Sequence, residues 1–312
     1  MSGPRPLVAL VHGFLGTPQD WDPMRDALES RAGVDVATVD LLACARDPRC
    51  AAALSRAAQL DPQAHRASDS MVRMAAGGRE HADAGMAMSP GNDSDVACVE
   101  PDGLDALASA VAAQLDGAVR AGRPLILCGY SLGGRICLAL SGHAHGHVAC
   151  IVIGADPGIE DPRERSLRAG RDHAHATQLL QDPGGFVSAW YAQPLFASLR
   201  TSPAFDEVLA RRRASLADPA VRESWARMLE ACSPGRCAPR WGMAAQLGRR
   251  LAVLHGALDD KFAGIARRIH ACAPQVPTIS IPGAGHAAHV EQPKACADAV
   301  ASVIAASHLK NP

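Results

Sequence analysis

A serine, an aspartate and a histidine in this chain have the side chains and the local settings of a catalytic triad. Ser131 lies in Gly129-Tyr130-Ser131-Leu132-Gly133, a G-x-S-x-G pattern that separates two apolar runs. Asp259 and His286 come later, each just after a further apolar run. A serine hydroxyl is inert at neutral pH unless an imidazole accepts its proton, and a carboxylate fixes the tautomer of that imidazole. We therefore predict that Ser131, Asp259 and His286 are catalytic.

Each partner of Ser131 has a rival nearby in the sequence. Asp260 adjoins Asp259, and His289 follows His286 by three residues. Asp259 is favoured by its spacing after the preceding strand. His286 is favoured because it directly follows a glycine at the end of its own strand.

A glycine-flanked turn near the N-terminus is a candidate oxyanion hole. The residues His12-Gly13-Phe14-Leu15-Gly16 come at the end of the first apolar run. Backbone N–H groups in such a turn stabilise negative charge that develops on oxygen during acyl transfer or enolate formation. The candidate donors are the N–H of Phe14 and the N–H of Leu132, which directly follows the serine. The alternative is an ordinary strand-to-helix loop, but the pairing with the G-x-S-x-G turn favours an oxyanion hole.

Six apolar runs of strand length position these residues, with helical patterns between them. The runs cover 7–12, 34–41, 124–127, 147–154, 251–256 and 276–281. Continuous apolar strands are typical of a parallel sheet that is buried on both faces. The triad residues follow three of the runs in the order Ser, Asp, His, which is the order found in α/β-hydrolases. We predict a single α/β-hydrolase domain over 1–312, with a mostly parallel central sheet flanked by helices and an inserted helical cap.

Two segments depart from the alternation of strands and helices. Residues 43–102 are rich in Ala, Gly, Ser, Asp and Met, so we predict a low-complexity insertion that is mostly disordered, with a transient helix around Cys50 to Leu60. A mobile lid is the alternative. Residues 156–240 carry Arg-rich helical patterns, and the block 186–196 holds four of the chain's eleven Phe, Trp and Tyr residues, which predicts a helical cap. The arginines form either a solvated helix face or, together with the aromatics, a site for an anionic, partly apolar ligand.

Composition argues against several classes of function. The chain has 312 residues, a net charge of −1 and 48% hydrophobic residues. The balanced charge gives no electrostatic basis for binding nucleic acid or an acidic membrane. No apolar run approaches the ~20 residues of a membrane span, and the first strand begins too early to leave room for a signal peptide. The ten scattered cysteines indicate reduced thiols. We expect a cytoplasmic protein that uses no metal or cofactor.

Several blocks beyond the triad carry a more specific pattern. The most specific are W-Y-x-Q-P-x-F at 190–196 and the elbow that ends in Gly-Gly-Arg at 133–135. The others are H-G-F-L-G at 12–16, M-L-E-A at 228–231, D-D-K-F at 259–262 and G-A-G-H-A-A-H at 283–289. Over residues 6–42 and 103–305 the chain resembles the 2-succinyl-6-hydroxy-2,4-cyclohexadiene-1-carboxylate (SHCHC) synthases, lyases of menaquinone and phylloquinone biosynthesis with the α/β-hydrolase fold.

The resemblance implies an elimination rather than a hydrolysis. Pyruvate leaves 2-succinyl-5-enolpyruvyl-6-hydroxy-3-cyclohexene-1-carboxylate after a proton is taken from a ring carbon. Ser131, activated by His286 and Asp259, is implied to act as the base. The amides of Phe14 and Leu132 are implied to hold the developing enolate.

The implied substrate is a small polycarboxylate, which gives the arginines a function. Arg135 lies one helical turn beyond Ser131 and therefore faces the same crevice. The substrate-binding residues that the resemblance implies are Tyr130, Arg135, Arg168, Trp190, and Arg212 or Arg213. A photosynthetic source implies a plastid rather than the cytoplasm.

One stretch departs from the family pattern. Family members follow the strand that ends at Asp40-Leu41 with a Pro-Gly-His-Gly turn, whereas this chain continues as Leu42-Ala43-Cys44-Ala45. Because that turn borders the active-site rim, two alternatives to the synthase stay open. One is a serine carboxylesterase or carbon–carbon-bond hydrolase on the same fold, and the other is a binding module without catalysis. Convergence of the arginines above Ser131 favours the synthase, since an esterase does not need them.

Overall fold

A single parallel sheet organises the computed structural model, which describes residues 5–59, 102–143 and 148–306. The described residues form six strands in the order β2-β1-β3-β4-β5-β6, and every neighbouring pair is parallel. The strands are β1 (Leu7–Val11), β2 (Asp35–Val39), β3 (Leu125–Tyr130), β4 (Val148–Ile153), β5 (Leu251–Gly256) and β6 (Thr278–Ile281). All six predicted strands are present, and the predicted α/β fold is confirmed.

Helices cover both faces of the sheet and form the cap. Within the described ranges they are α1 (Asp22–Ala32), α2 (Leu41–Arg46), α3 (Pro48–Gln59), α4 (Gly103–Arg120), α5 (Leu132–His143), α6 (Pro162–Gln181), α7 (Pro183–Ala192), α8 (Ala197–Arg200), α9 (Phe205–Ser215), α10 (Pro219–Ala231), α11 (Gly242–Leu247), α12 (Asp260–Cys272), α13 (Ala288–Glu291) and α14 (Pro293–Ala306). Short 3₁₀ turns occupy Pro18–Trp21, Pro194–Phe196 and Gly248–Arg250. None of the helices described here combines the length and the apolar character of a membrane span.

An aspartate begins several of these helices. Its carboxylate accepts N–H groups that the first helical turn leaves without a partner. The capping residues are Asp40 for α2, Asp102 for α4, Asp161 for α6, Asp182 for α7, Asp218 for α10 and Asp259 for α12. Because Asp259 is also a predicted triad residue, the start of α12 determines where its carboxylate lies.

Alternate residues of each strand face two separate hydrophobic cores. On β1, Val8 and Leu10 pack with α1 and α14, whereas Ala9 and Val11 face the core that α4, α5 and α12 cover. All four side chains are fully buried. This double burial explains why the strands appear in the sequence as continuous apolar runs.

Residues 43–59, predicted above as the start of a disordered insertion, form helices instead. They belong to α2 and α3, which pack against α4 and α10. Cys50, Leu54 and Ala57 are buried in that contact. Alanine and cysteine offer little apolar surface, so these helices depend on closely packed neighbours that the local sequence does not reveal. Residues 60–101 of the predicted insertion lie outside the described residues.

The segment 156–240, predicted as the cap, contains α6 to α10 and no strand. Helix α6 packs against α7 and α10, and α10 extends to α2 and α3. Trp225 on α10 contacts Phe14 edge to face, with 5.3 Å between ring centroids. The cap therefore covers the loop that follows β1.

An ion-pair network ties the end of this segment to α4. Arg240 lies 3.2 Å from Asp102 and 2.6 Å from Asp105, and the N–H of Ala238 donates to Asp102 at 3.0 Å. Burial raises the pKa of Asp102, but the charge and hydrogen bonds of Arg240 outweigh burial and leave that pKa below its ordinary value. Asp102 is therefore ionised while it joins the start of α4 to the cap.

Alanine substitutions at two glycines of α4 should have opposite effects on stability. A Cβ at Gly103 would overlap the carbonyl group of Ala231 at the end of α10, whereas a Cβ at Gly117 would meet open space. We expect Gly103→Ala to lower the free energy of unfolding by about 1–3 kcal/mol. The matched control Gly117→Ala should raise it by up to about 1 kcal/mol, because alanine restricts the unfolded chain. Urea unfolding of both variants measures this, and a neutral Gly103→Ala variant contradicts the packing of α4 on α10.

Candidate active site

Ser131 occupies the sharp turn between β3 and α5. Its φ is +51°, which residues other than glycine rarely adopt. A Cβ on Gly129 would overlap the backbone of Gly133, and a Cβ on Gly133 would overlap the carbonyl of Val11. Close backbone approach therefore requires both glycines of the G-x-S-x-G pattern, and the turn has the geometry of a nucleophile elbow.

Backbone hydrogen bonds hold this turn at the carboxyl edge of the sheet. The N–H of Ser131 donates to the carbonyl of Ile153 at 2.9 Å, and the carbonyl of Ser131 accepts from Arg135 at 3.1 Å. Leu132 is the first residue of α5, so its N–H has no acceptor within the helix. Leu132 lines the same cavity as Ser131. This setting suits an oxyanion-hole donor.

Asp259 and His286 form a buried pair at the same edge of the sheet. Nδ1 of His286 lies 3.0 Å from Oδ2 of Asp259, and the side chains are only 3% and 4% exposed. Because a carboxylate only accepts, Nδ1 of His286 donates the proton and Nε2 is left free to accept one. Oδ1 of Asp259 accepts the N–H of Phe262 at 3.1 Å, so both oxygens of the carboxylate are held.

Aromatic packing fixes the ring of His286. Its centroid lies 4.6 Å from that of Phe262 and 5.2 Å from that of Tyr130. The rival carboxylate, Asp260, is exposed on the first turn of α12. The geometry therefore selects Asp259 as the partner of His286.

His289, the rival of His286, is packed behind Tyr130. Its ring centroid lies 4.3 Å from those of Trp21 and Tyr130. No described group bonds its Nδ1. Burial lowers the pKa of His289 to about 3. The ring is therefore neutral around pH 7, and it packs as an aromatic side chain instead of accepting a proton from Ser131.

His12 braces the turn that follows β1. Its Nδ1 donates to the carbonyl of Gly13 at 3.0 Å, and its Nε2 accepts the N–H of Leu41 at 3.1 Å. Burial lowers the pKa of His12, which keeps the ring neutral so that one nitrogen donates and the other accepts. Phe14, two residues further on, lines the same cavity as the elbow. The candidate oxyanion turn is thus held from both ends.

A cavity of about 290 Å³ opens above Ser131, between the sheet edge and the cap. His286, Phe14 and Leu132 line its catalytic side, and Trp190 lines the cap side. Cations outnumber carboxylates on its walls by four to two. The cations are Arg135, Arg168, Arg171 and Lys261, and the carboxylates are Asp156 and Asp172. An excess of positive charge beside aromatic rings suits an anionic, partly apolar ligand.

Arg135, Arg168 and Trp190, three of the residues implied by sequence to bind substrate, line this cavity. Arg135 donates to the carbonyl of Cys232 at 2.6 Å. Nε of Arg168 donates to both carboxylate oxygens of Asp172, at 3.0 and 2.9 Å. These contacts hold both guanidinium groups in defined positions.

Two cations of the cavity, Arg171 and Lys261, were missed by the sequence argument. Arg171 follows Arg168 by three residues on α6, and Lys261 follows Asp259 by two residues in the D-D-K-F block. Helical spacing and proximity to the triad were the available signals. Neither signal distinguishes a cavity residue from a solvated one without the packing of the cap.

Arg212 lies away from this larger cavity. It pairs with Asp20, and its Nε donates to the hydroxyl of Tyr191 at 3.2 Å. Burial raises the pKa of Asp20, but the charge and hydrogen bond of Arg212 outweigh burial and hold that pKa below its ordinary value. Arg212 lines a smaller cavity of about 40 Å³ that also reaches Ser131. Its main contact therefore fastens α9 to the turn before α1.

Arg213, the alternative to Arg212, is exposed and lines neither cavity. Tyr130 lines the smaller cavity with Ser131. Burial raises the pKa of Tyr130 far above its ordinary value, so the phenol stays neutral. Of the two arginines left open by the sequence, only Arg212 lies near the serine.

Comparison with known proteins places this geometry in a family. Residues 8–299 match the alpha/beta hydrolase family. The chain is 37% identical over 213 residues to the 2-succinyl-6-hydroxy-2,4-cyclohexadiene-1-carboxylate synthase of Serratia proteamaculans, a match that covers 67% of this chain and 77% of that protein. This chain belongs to the SHCHC synthase family.

Two further matches are less similar in sequence. Protein PHYLLO, chloroplastic, of Arabidopsis thaliana is 29% identical over 178 residues, which covers 54% of this chain and 10% of that protein. The structure of MenH from S. aureus matches with a TM-score of 0.68 at 20% identity, covering 96% of this chain and 94% of that one. At that identity the structural likeness supports the fold alone.

The rim of this SHCHC synthase family member is helical where the sequence departs from the family pattern. Asp40 accepts the N–H groups of Leu42 and Ala43 at 2.8 and 3.3 Å and so begins α2. The N–H of Leu41 donates to His12. The segment that departs from the family pattern is therefore an ordered helix tied to the candidate oxyanion turn.

The buried His289 predicts a loss of stability in acid. Its folded pKa of about 3 lies below the ordinary value of about 6.5. Between these values the unfolded chain binds the proton and the native chain does not, so stability falls as pH falls, by about 1.4 kcal/mol per pH unit. We expect His289→Phe, which keeps an aromatic ring, to lose less stability between pH 6.5 and pH 4 than the unmodified chain.

Denaturant unfolding at several pH values measures these slopes. Carboxylates and His12 contribute in both proteins, so the difference between the two slopes isolates His289. Equal slopes for His289→Phe and the unmodified chain contradict a buried neutral His289.

Proposed function

We propose that this SHCHC synthase uses Ser131, His286 and Asp259 to eliminate pyruvate from 2-succinyl-5-enolpyruvyl-6-hydroxy-3-cyclohexene-1-carboxylate. The observation that carries the proposal is the excess of cations in the cavity above Ser131. The substrate bears three carboxylates, on its ring, its succinyl arm and its enolpyruvyl group. A cavity lined by four cations and two carboxylates complements that charge.

The reaction begins with removal of the proton on the ring carbon next to the succinyl carbonyl. Nε2 of His286 accepts the Ser131 hydroxyl proton, and the serine oxygen takes the ring proton. The electron pair of the broken C–H bond moves to the succinyl carbonyl oxygen as an enolate. The N–H groups of Phe14 and Leu132 stabilise that oxygen, as they would the oxyanion of acyl transfer.

Collapse of the enolate completes the elimination. Its electron pair returns through the ring, forms the second ring double bond and breaks the C–O bond to the enolpyruvyl group. The departing enolate of pyruvate takes up the proton that His286 accepted from Ser131, directly or through water, and leaves as pyruvate. This returns His286 to its neutral form. Serine forms no covalent bond to the substrate, so Ser131 serves as a base in this sequence.

The cavity walls support this course over ester hydrolysis. Arg135 at the start of α5 and Arg168 on the cap helix α6 line the same cavity, where carboxylates of one ligand can reach both. Holding the substrate at its carboxylates fixes the ring carbon against Ser131, and such orientation accounts for a large part of a catalysed rate. An esterase of small neutral substrates gains nothing from these cations.

Replacement of the serine tests the reaction directly. We expect Ser131→Ala to lower the rate of pyruvate release from the family substrate by about 10³-fold or more, because the base is removed. Pyruvate is followed by coupled lactate dehydrogenase and NADH absorbance. Release that persists in Ser131→Ala contradicts the proposal. Turnover of simple esters without pyruvate release, together with a fluorophosphonate adduct on Ser131, favours the esterase alternative instead.

The two neighbouring aspartates provide a matched pair for the triad. Asp259→Asn removes the acceptor that fixes the His286 tautomer, so we expect kcat to fall by about 10³- to 10⁴-fold. Asp260→Asn alters an exposed carboxylate and should change kcat by less than about twofold. Steady-state pyruvate release from both variants shows whether Asp259 or Asp260 is the triad carboxylate. A larger loss for Asp260→Asn contradicts the assignment.

The cellular setting follows from the proposed reaction. We propose a small polycarboxylate as the ligand, with no role in binding nucleic acid. We also propose the cytoplasm as the compartment, or a plastid where the source is photosynthetic. Fractionation of source cells, followed by detection of this chain with an antibody, identifies the compartment.

A further inference from the structure

The backbone that carries His286 is held by a carboxylate outside the triad. Oε2 of Glu291 accepts the N–H of Gly285 at 2.9 Å, and Oε1 accepts the N–H of Ala287 at 3.1 Å. These two residues directly precede and follow the histidine. We propose that Glu291 is a positioning residue, which fixes the backbone on both sides of His286 and thereby keeps Nε2 in place to accept the proton of Ser131. This role rests on the proposed elimination for the function of Ser131.

His286 needs such support because no regular element carries it. The histidine lies in the loop between β6 and α13. Gly285 and Ala287 are buried in that loop, and a buried N–H group without an acceptor is costly. A strand would satisfy both groups through sheet hydrogen bonds. Here the single carboxylate of Glu291 supplies both acceptors.

Glu291 takes its own position from α13. Its N–H donates to the carbonyl of Ala287 at 2.9 Å, so the two residues are joined by a hydrogen bond in each direction. Helix α13 packs against α14, α8 and the 3₁₀ turn before α1. Hydrogen bonds to an ionised carboxylate are roughly twice as strong as those between neutral groups. The loop of His286 is therefore anchored to a packed helix.

The start of the same loop contacts the segment that carries Asp259. The N–H of Leu258, which directly precedes Asp259, donates to the carbonyl of Ala284 at 2.8 Å. The backbone around His286 is therefore held by the neighbour of Asp259 at one end and by Glu291 at the other. Both members of the catalytic pair depend on this arrangement for their alignment.

Glu291 acts through the histidine and not on the ligand. It lines neither the larger nor the smaller cavity at Ser131. The carboxylate of Asp259 fixes the tautomer of the ring, whereas that of Glu291 fixes the peptide groups from which the ring projects. Loss of the second contact should displace Nε2 and slow proton transfer without changing how substrate binds. A displacement of about 1 Å can lower a catalysed rate by about 10²-fold.

Glu291→Gln removes half of this contact. The amide oxygen can accept one N–H, while the amide N–H groups oppose the other. We expect kcat for pyruvate release to fall by about 10- to 100-fold and KM to change by less than about threefold. The neighbouring Gln292 provides the control, because it is exposed and its Nε2 donates to the carbonyl of Gly283 at 3.4 Å. Gln292→Ala should leave both constants unchanged.

A stability measurement separates positioning from folding. The midpoint of thermal unfolding is recorded for each variant, and activity is assayed well below that temperature. A lower midpoint with kcat unchanged assigns Glu291 to stability alone and overturns the positioning role. A rise in KM with kcat unchanged assigns Glu291 to substrate binding and also overturns it.

A spectroscopic measurement distinguishes the positioning role from the proposed reaction. Protein labelled with ¹⁵N-histidine reports the tautomer of the neutral His286 ring in the chemical shifts of its two nitrogens, and His286→Gln assigns these signals. We expect the two shifts to move toward each other in Glu291→Gln, because the loosened ring samples both tautomers, and to stay unchanged in Gln292→Ala.

The two possible results for His286 have separate meanings. Altered shifts in Glu291→Gln support the positioning role even when the unmodified protein releases no pyruvate, an outcome that contradicts only the proposed reaction. Unchanged shifts in Glu291→Gln overturn the positioning role even when pyruvate is released.

Discussion

The left-handed backbone of Ser131 is the constraint on which the rest of the site depends. A φ of +51° is tolerated only because Gly129 and Gly133 let the chain turn back on itself and because Gly133 contacts the carbonyl of Val11. The elbow therefore needs β1 and β3 side by side and in register, which the pairing of Val11 with Gly129 provides. The same registration brings the candidate oxyanion turn beside the serine. The backbone pairing of β1 and β3 thus positions both the serine and the candidate oxyanion turn.

The carboxylate of Asp259 makes two structural contacts at once. Oδ1 of Asp259 begins α12 and Oδ2 holds the imidazole of His286. A helix cap is a local interaction that forms wherever the helix forms. The direction of the catalytic carboxylate is therefore fixed by secondary structure, and the pair needs few other contacts to stay aligned. Residues of the first turn of α12, Lys261 among them, take their positions from the same interaction.

The sequence predicts the sheet, which the structure confirms, and a candidate triad, because both depend on local signals. The contacts of the cap leave no such signal. Glycines two positions from a serine report a backbone requirement, and continuous apolar runs report burial on both faces. No local sequence pattern indicates that Arg212 pairs with Asp20, about 190 residues away in the chain. The pair forms only because α9 folds back onto the core. Ordered helices α2 and α3 were not predicted for a related reason. Alanine-rich helices are stabilised by packing against neighbouring elements and lack a strong hydrophobic pattern of their own.

The cations around Ser131 therefore divide into two kinds, and this division agrees with the elimination proposed for this hydrolase scaffold. Arg212 pairs with Asp20, bonds the hydroxyl of Tyr191, and fastens α9 to the turn before α1. Lys261 and the arginines that line the larger cavity leave a positive surplus above the serine. The triad and the backbone amides serve acyl transfer and enolate formation equally well. What differs is the atom held against Ser131. In the proposed reaction, a polycarboxylate fixed at its charged ends presents a ring C–H bond to the serine, and the cations, rather than the triad, select that outcome.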